Sequence, residues 1–323
     1  MTEPVNNSDG QGPRMPPEQS TPADTQPSVV DVKESTDNGE ASAANQDSTD
    51  SALVRGYKSI MNQPNDSTQK TLFVTVAMCL VCSIIVSAAA VLLRPTQAAN
   101  AALDRKRNIV QVAGLINDDS DVQISVNEAF SNVETRVVNL DTGQFSDRFD
   151  GVEYDQYAAA SDPALSKALN KGEDIAGIGR RAQFAEVYLV GGSDNFEQIV
   201  LPIHGLGLWS TLYGFVSLES DLTTISGLKF YNHAETPGLG GEVDNPAWQN
   251  KWNGKLAFDN NGQVKIEVVK GAVDPGSKEA DWQVDGLAGA TLTSRGVSQL
   301  LRFWLDEQGF GPFLKNLKQR EAS

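Results

Sequence analysis

Residues that ligate metals or act as nucleophiles are scarce in this sequence, whose 323 residues include only two Cys and two His. Both Cys, Cys79 and Cys82, lie in one apolar run, where we interpret them as packing residues because two thiols cannot complete an iron–sulfur site. The two His, His204 and His233, lack the close spacing of a helical metal site, and no G-x-S-x-G motif accompanies them. We therefore predict no metal site and no catalytic side chain, so redox chemistry would need an organic cofactor.

Positive charge is also scarce, with 26 Lys and Arg against 42 Asp and Glu and a net charge of −16. Nucleic-acid phosphates bind basic surfaces, so this balance argues against a nucleic-acid partner. Half of the excess lies in residues 1–52, where ten acidic residues against Arg14 and Lys33 give −8. This segment has almost no large apolar residues to offset the entropy of ordering, and we predict a disordered acidic tail with no assigned role.

Charge is absent altogether from residues 71–93, an apolar run of 23 residues without Pro or Gly. As a helix it would span about 35 Å, enough for a hydrocarbon core about 30 Å thick. We predict a transmembrane helix at 71–93, preceded by a juxtamembrane segment at 53–70 and followed by a connecting helix at 94–114. Three basic residues before the run and four after it leave its orientation open.

Residues 115–323 are long enough for one domain and contain several apolar stretches bounded by turn residues. Consecutive strands with helices kept apart from them predict an α+β fold with an antiparallel sheet and flanking helices. Helical patterns occur at the two ends and around 163–169. The predicted strands are 135–140, 185–190, 198–203, 212–218, 225–231, 255–258 and 264–269, the last six as three hairpins.

The stretch 285–294 combines small residues with a run of hydroxyls, directly before an amphipathic helical pattern. Thr293 or Ser294 is expected to cap that helix, whose free N–H groups and dipole would favour a phosphate. The alternative is a small-residue turn before an ordinary capped helix. Asp285 could transfer a proton or, alternatively, turn the backbone before Gly286.

Two further loops are rich in glycine, 205–210 before one predicted strand and 233–242 after another. The first is no dinucleotide fingerprint, because the G-x-x-G spacing is missing and a strand rather than a helix follows. From local chemistry alone, the first loop is a turn with a buried Trp209 and the second is a surface loop.

Together these three stretches resemble a known family. Residues 289–293 read Gly-Ala-Thr-Leu-Thr, 207–210 read Gly-Leu-Trp-Ser and 235–240 read Glu-Thr-Pro-Gly-Leu-Gly. In this order, over roughly residues 70–320, they are similar to the NqrC family of the Na+-translocating NADH:quinone reductase. One departure is Ala288, where many relatives have Ser, and we expect it to be tolerated because the family's flavin acceptor is the threonine.

The resemblance implies an outward-facing FMN-binding domain in which Thr291 carries FMN through a phosphoester bond. A separate flavin transferase would form this bond from FAD with Mg²⁺, because a free threonine hydroxyl is a poor nucleophile. The expected cofactor-binding residues are Thr291, Thr293, Leu292, Ala290, Gly289, Asp285, Thr236, Gly238, Leu239, Trp209 and Ser210.

By the same resemblance, the chain is one subunit of a complex in the inner (cytoplasmic) membrane that oxidises NADH, reduces ubiquinone and exports Na+. It would cross the membrane once, with a cytoplasmic N-terminus and a periplasmic C-terminal domain. It would act as a one-electron relay beside the other subunits of that reductase (A, B, D, E and F). Two alternatives stay open: the homologous flavoprotein subunit of the Rnf ferredoxin:NAD reductase complex, and a membrane-anchored scaffold without flavin.

Overall fold

The computed structural model describes residues 52–116 and 123–321. The expected acidic tail, residues 1–52, lies outside this range apart from its last residue. Contacts divide the chain into two units, Met1–Cys82 and Ser83–Ser323. Helix α1 spans Ala52–Met61 in the first unit. Helix α2 begins there and continues without a break through Pro95, from Thr68 to Val112.

Helix α2 has the length and apolar composition to cross a membrane, and within the described residues it is the one such helix. Its 45 residues correspond to a helix about 68 Å long. Its apolar side chains are widely exposed, 59% at Leu80, 67% at Ile84 and 77% at Leu92. Side chains near its C-terminal end, at Ile109 and Val110, are instead buried. The expected long apolar N-terminal helix is confirmed as part of the fold class.

The second unit contains a seven-stranded antiparallel sheet and two small two-stranded sheets. In the main sheet the strand order is β2-β1-β5-β6-β7-β8-β9, while β3 pairs with β4 and β10 pairs with β11. The strands are β1 Val133–Asn139, β2 Gln144–Phe145, β3 Ser166–Ala168, β4 Arg180–Ala182, β5 Phe184–Val190, β6 Gln198–Leu206, β7 Thr211–Glu219, β8 Thr224–Asn232, β9 Lys255–Leu256, β10 Glu267–Val268 and β11 Gln283–Val284.

In the described part of the second unit, five further helices flank these sheets, which gives the predicted α+β arrangement. Single turns of 3-10 helix occupy Gly240–Asp244, Asn250–Trp252 and Ala280–Trp282. The helices are α3 Gln123–Phe130, α4 Gln156–Ser161, α5 Pro246–Gln249, α6 Thr291–Leu305 and α7 Gly311–Glu321.

Both faces of the main sheet are buried, and this explains why strand β5 is apolar along most of its length. Alternate residues of a strand point to opposite faces. On one face Leu201 and Val216 join a core with Trp304 of α6. On the other face Val200 and Phe215 join a second cluster that includes the buried end of α2. The end of α2 is thereby part of the domain core.

Two details of the predicted secondary structure are wrong. The helical pattern around 163–169 is instead strand β3, which pairs antiparallel with β4. The proposed hairpin between 255–258 and 264–269 is reduced to one bridge, Phe258 to Val264. Strand β10 pairs in parallel with β11, which lies further along the chain. In both places a distant partner segment overrides the local pattern.

Candidate functional site

Helix α6 packs against the end of strand β6, and this contact brings its first turn beside the hairpin loop between β6 and β7. The indole N–H of Trp304 donates to the carbonyl of His204 at 2.6 Å. A Cβ at Gly296 would lie 2.5 Å from the carbonyl oxygen of Leu206. Glycine is therefore required at 296 for the helix to approach the strand this closely.

Thr291 is the first residue of α6, and its side chain is exposed. The preceding Gly289 has a φ of +71°, a left-handed conformation that favours glycine. A Cβ at Gly289 would also lie 2.8 Å from the side chain of Leu239. The small residues of this loop thus allow it to contact the 235–240 loop, which contains Leu239. The next residue of the helix, Leu292, is 56% exposed.

The expected N-cap is wrong, because α6 begins earlier than the hydroxyl run suggested. Ala290 occupies the cap position, and its side chain has no atom that could make a capping hydrogen bond. Thr293 is fully buried and donates its hydroxyl to Glu235 at 2.7 Å. The Ser294 hydroxyl accepts a hydrogen bond from the N–H of Leu287 at 3.0 Å. Both hydroxyls therefore hold neighbouring segments together rather than capping the helix.

Glu235 is a buried carboxylate that connects two of the predicted loops to the helix. One oxygen accepts backbone N–H groups of Leu208, Trp209 and Ser210 at 3.0, 2.8 and 3.1 Å. The other oxygen accepts the Thr293 hydroxyl. Burial alone would raise the pKa of the Glu235 carboxyl, but these four hydrogen bonds outweigh it and hold the pKa below its ordinary value.

Asp285 does not turn the backbone before Gly286, although the local alternative predicts that it does. Its carboxylate forms an ion pair with Lys251 and accepts the N–H of Val273 at 2.8 Å. The hydrogen bond from Lys251 lowers the pKa of Asp285 below its ordinary value. Its carbonyl accepts the indole N–H of Trp248 at 2.8 Å. Asp285 therefore ties the loop before Thr291 to neighbouring segments instead of turning the backbone at Gly286.

Each of the three motifs carries an exposed apolar side chain, Trp209, Leu239 and Leu292. Trp209 is 70% exposed, so the alternative of a turn with a buried tryptophan is wrong. Leu239 is 43% exposed, and the neighbouring Thr236 and Gly238 are exposed as well. Ser210 is anchored through its hydroxyl, which accepts the N–H of Ala234 at 2.7 Å. All three motifs thus present apolar side chains at the surface.

A cavity of about 340 Å³ lies beside Thr291 and carries an excess of positive charge. Its lining includes Lys270, Arg295 and Arg302 against one carboxylate, Glu267. Such a lining suits an anionic group such as a phosphate. Among the described residues, no group of three His, Cys, Asp or Glu side chains could hold a metal ion.

The structure thus brings together the predicted residues of all three motifs, with Asp285 supporting the loop that precedes Thr291. Sequence reasoning missed Glu235, which links the motifs, and the three cations of the cavity. The available signal for Glu235 was an acidic residue inside a Gly- and Pro-rich loop, next to the predicted site residue Thr236.

A protein-family model described as "FMN-binding domain" matches residues 207–306, which contain all three motifs. The NqrC subunit of the Na(+)-translocating NADH-quinone reductase of Pseudomonas aeruginosa is 51% identical over 258 residues, 80% of this chain and 98% of its own length. The corresponding protein of Vibrio anguillarum is 49% identical over 259 residues, again 80% and 98% of the two chains. The crystal structure of Shewanella oneidensis NqrC superposes with a TM-score of 0.62 at 35% identity, covering 70% of this chain and 100% of that one.

Fold, site and family model define the class of protein: an FMN-binding domain preceded by one helix able to span a membrane. The chain belongs to the NqrC family, a subunit family of the Na(+)-translocating NADH-quinone reductase. The resemblance first seen in three short motifs is confirmed over four-fifths of the chain.

Proposed function

We propose that this protein is the subunit of a Na+-exporting NADH:ubiquinone reductase that carries FMN covalently on Thr291 and relays single electrons through it. The observation that carries the proposal is the contrast between the two threonines of one helical turn. Thr291 is exposed, whereas Thr293 is fully buried and hydrogen-bonded to Glu235. Of these two threonines, only Thr291 offers a hydroxyl that a flavin transferase could reach.

The residues around Thr291 fit the parts of FMN. Trp209, Leu239 and Leu292 are exposed apolar side chains that would lie against the ring system and exclude water from it. The negative charge of the phosphodiester would lie at the N-terminus of α6, beside the basic cavity that contains Arg295. When bound, FMN supplies transfer of one or two electrons, which the side chains of this chain cannot.

Attachment requires help from another enzyme. The oxygen of Thr291 would attack the FMN-side phosphorus of FAD, and the bond to AMP would break as AMP leaves. The hydroxyl proton would pass to a base of the flavin transferase, whose Mg²⁺ balances the diphosphate charge. The small residues Gly289 and Ala290 leave the hydroxyl accessible for this reaction.

Denaturing electrophoresis with ultraviolet illumination tests the acceptor directly. The wild-type band should fluoresce, Thr291→Ala should be dark, and Thr291→Ser, which keeps a hydroxyl, should retain fluorescence. Thr293→Ala should keep part of the signal, because it perturbs the turn but leaves the acceptor. Fluorescence that survives in Thr291→Ala would refute the assignment.

The remaining parts of the proposal concern partners and sidedness. The other reductase subunits (A, B, D, E and F) should co-purify with this chain in mild detergent, whereas Rnf proteins or no companions at all would favour the alternatives. We propose a single pass through the inner membrane, with the N-terminus cytoplasmic and the FMN-binding domain periplasmic. A reporter that fluoresces only in the cytoplasm, fused after Ser323, should stay dark, and bright cells would refute this orientation.

A further inference from the structure

Glu235 is a buried anion whose four hydrogen-bond donors are all uncharged. Only 5% of the residue is exposed. Its donors are three successive backbone N–H groups of the hairpin loop between β6 and β7 and the hydroxyl of Thr293. A carboxylate is the side chain suited to this place, because it accepts on both oxygens and carries no proton of its own.

Two glycines provide the space for this carboxylate. A Cβ at Gly207 would lie 2.7 Å from one oxygen of Glu235. A Cβ at Gly240 would lie 2.7 Å from the other oxygen and 2.6 Å from the Thr293 hydroxyl. Any larger residue at either position would displace the carboxylate or its partner. The contact between Glu235 and Thr293 thus depends on the glycines of two separate loops.

We propose that Glu235 is a positioning residue for flavin attachment. Its carboxylate links Thr293, and therefore the first turn of α6, through hydrogen bonds to the backbone of residues 208–210, which include Trp209. Thr291 belongs to the same turn, so this bond determines where its hydroxyl faces. The inference rests on the proposed role of Thr291 as the acceptor and adds the element that holds it in place.

The test follows flavin attachment to the purified full chain in detergent, taken from cells without flavin transferase and then mixed with transferase, FAD and Mg²⁺. Glu235→Gln keeps the shape but replaces the charged acceptor by a neutral amide, whose N–H can only donate to the Thr293 hydroxyl in a weaker bond. Thr293→Val removes the hydroxyl and with it the whole hydrogen bond. Each change should lower kcat for attachment about tenfold and leave KM for the chain unchanged, because one hydrogen bond to a charged group is lost.

The division between kcat and KM distinguishes positioning from loss of stability. If a variant were merely less folded, only its folded fraction would act as substrate, so the apparent KM would rise while kcat stayed constant. Glu186→Gln is the control, because Glu186 is also a buried carboxylate but lies on strand β5, where it pairs with Arg105 and accepts the Tyr188 hydroxyl at 3.0 Å. That variant should attach flavin with the wild-type kcat.

The double variant Glu235→Gln, Thr293→Val should be no slower than the slower single variant, since both changes act on the same contact. Independent effects, giving a rate about a hundredfold below wild type, would overturn the proposal. The proposal would also be overturned if both single variants attached flavin with the wild-type kcat while Thr291→Ala attached none. If Glu235→Gln does not fold, the kcat of Thr293→Val alone tests the proposal. Attachment to Thr291→Ala would instead refute the acceptor, which is a separate failure.

Discussion

Helices α2 and α6 both carry many large apolar side chains, yet they present them to different surroundings. In α2 the apolar side chains at Leu80 and Ile84 are mostly exposed. In α6 those at Leu300 and Trp304 are almost completely buried. The two helices differ in how their apolar residues are distributed around the helix axis. Over 71–93, α2 is apolar on all sides, whereas α6 has one apolar face and carries exposed Arg residues elsewhere.

The same contrast occurs within α2 itself. Ile84 is 67% exposed, while Ile109 is 1% exposed, although one continuous helix contains both. Ile109 packs in the cluster that covers one face of the main sheet. Burial therefore differs along a single helix: one part of α2 has the properties of a membrane span, and another part belongs to a domain core.

The largest expected effect is loss of membrane association when the apolar run is removed. A chain that starts at Asn100 lacks the whole run but keeps Ile109 and Val110, which complete the core. It should be soluble and still accept flavin. The full chain should stay in the pellet after alkaline carbonate extraction, because the run is long enough to span the bilayer.

A second truncated chain that starts at Gly114 is the control, because it also lacks the apolar run but loses the buried end of α2. It should express poorly or aggregate. If the chain from Asn100 sediments with membranes, or the chain from Gly114 is as stable, the distinction between the two parts of α2 is wrong.

The second effect concerns truncation of a side chain in each helix. Trp304→Ala should destabilise the domain by about 3–5 kcal/mol, because it leaves a cavity beneath the sheet. It also leaves the carbonyl of His204 without its indole donor. Leu80→Ala in the membrane span should leave domain stability unchanged. Denaturant unfolding of the full chain in detergent, followed by circular dichroism, measures both, and equal shifts would contradict the comparison.

The third effect is a loss of domain stability at low pH. Burial lowers the pKa of His204 from 6.5 to about 4. Its ring packs 4.9 Å from that of Trp304, and its Nδ1 has no hydrogen-bond partner in the described part of the chain. Below pH 6.5 the unfolded chain therefore binds a proton that the folded domain does not. The free energy of unfolding should fall by up to about 3 kcal/mol between pH 6.5 and pH 4.

Carboxylates also titrate in this range, so the measurement is the difference in pH dependence between wild type and His204→Phe. The variant keeps a ring among the neighbouring aromatic side chains but cannot bind the proton. Its stability should decline less as the pH falls. Membrane association should not change, because residues 71–93 contain no group that titrates between pH 4 and pH 7. Parallel pH curves for the two proteins would contradict the buried neutral histidine.

The elements that sequence predicts well are those determined by local pattern. The strands from β5 to β8 follow the predicted apolar stretches closely, since turn residues bound each one and adjacent strands pair in order. Strand β3 and the parallel pair β10–β11 were missed because their partners lie beyond a local window. For such short strands, pairing with a distant segment decides the conformation.

The site divides in the same way. Thr291 and the two glycine-rich loops could be recognised from motifs, and the exposure of Thr291 agrees with its proposed role as the flavin acceptor. The hydrogen bond between Glu235 and Thr293 could not be foreseen, because it joins residues 58 positions apart. The N-cap was mispredicted for a related reason: the Thr293 and Ser294 hydroxyls bond to other segments.

The smallest expected effect is also the strictest test of the contrast within α2. Ile109→Val and Ile84→Val remove one methylene each from the same helix, and both replace a β-branched residue with another, so differences in helix propensity cancel. Ile109→Val should cost about 0.5–1.5 kcal/mol, because the deleted group leaves a small void in the core. Ile84→Val should stay within about 0.5 kcal/mol of wild type, since Ile84 is 67% exposed and lies outside the domain core. Denaturant midpoints of the two full chains in the same detergent measure the difference. Equal midpoints would mean that the end of α2 does not pack into the domain as tightly as the buried side chain of Ile109 indicates.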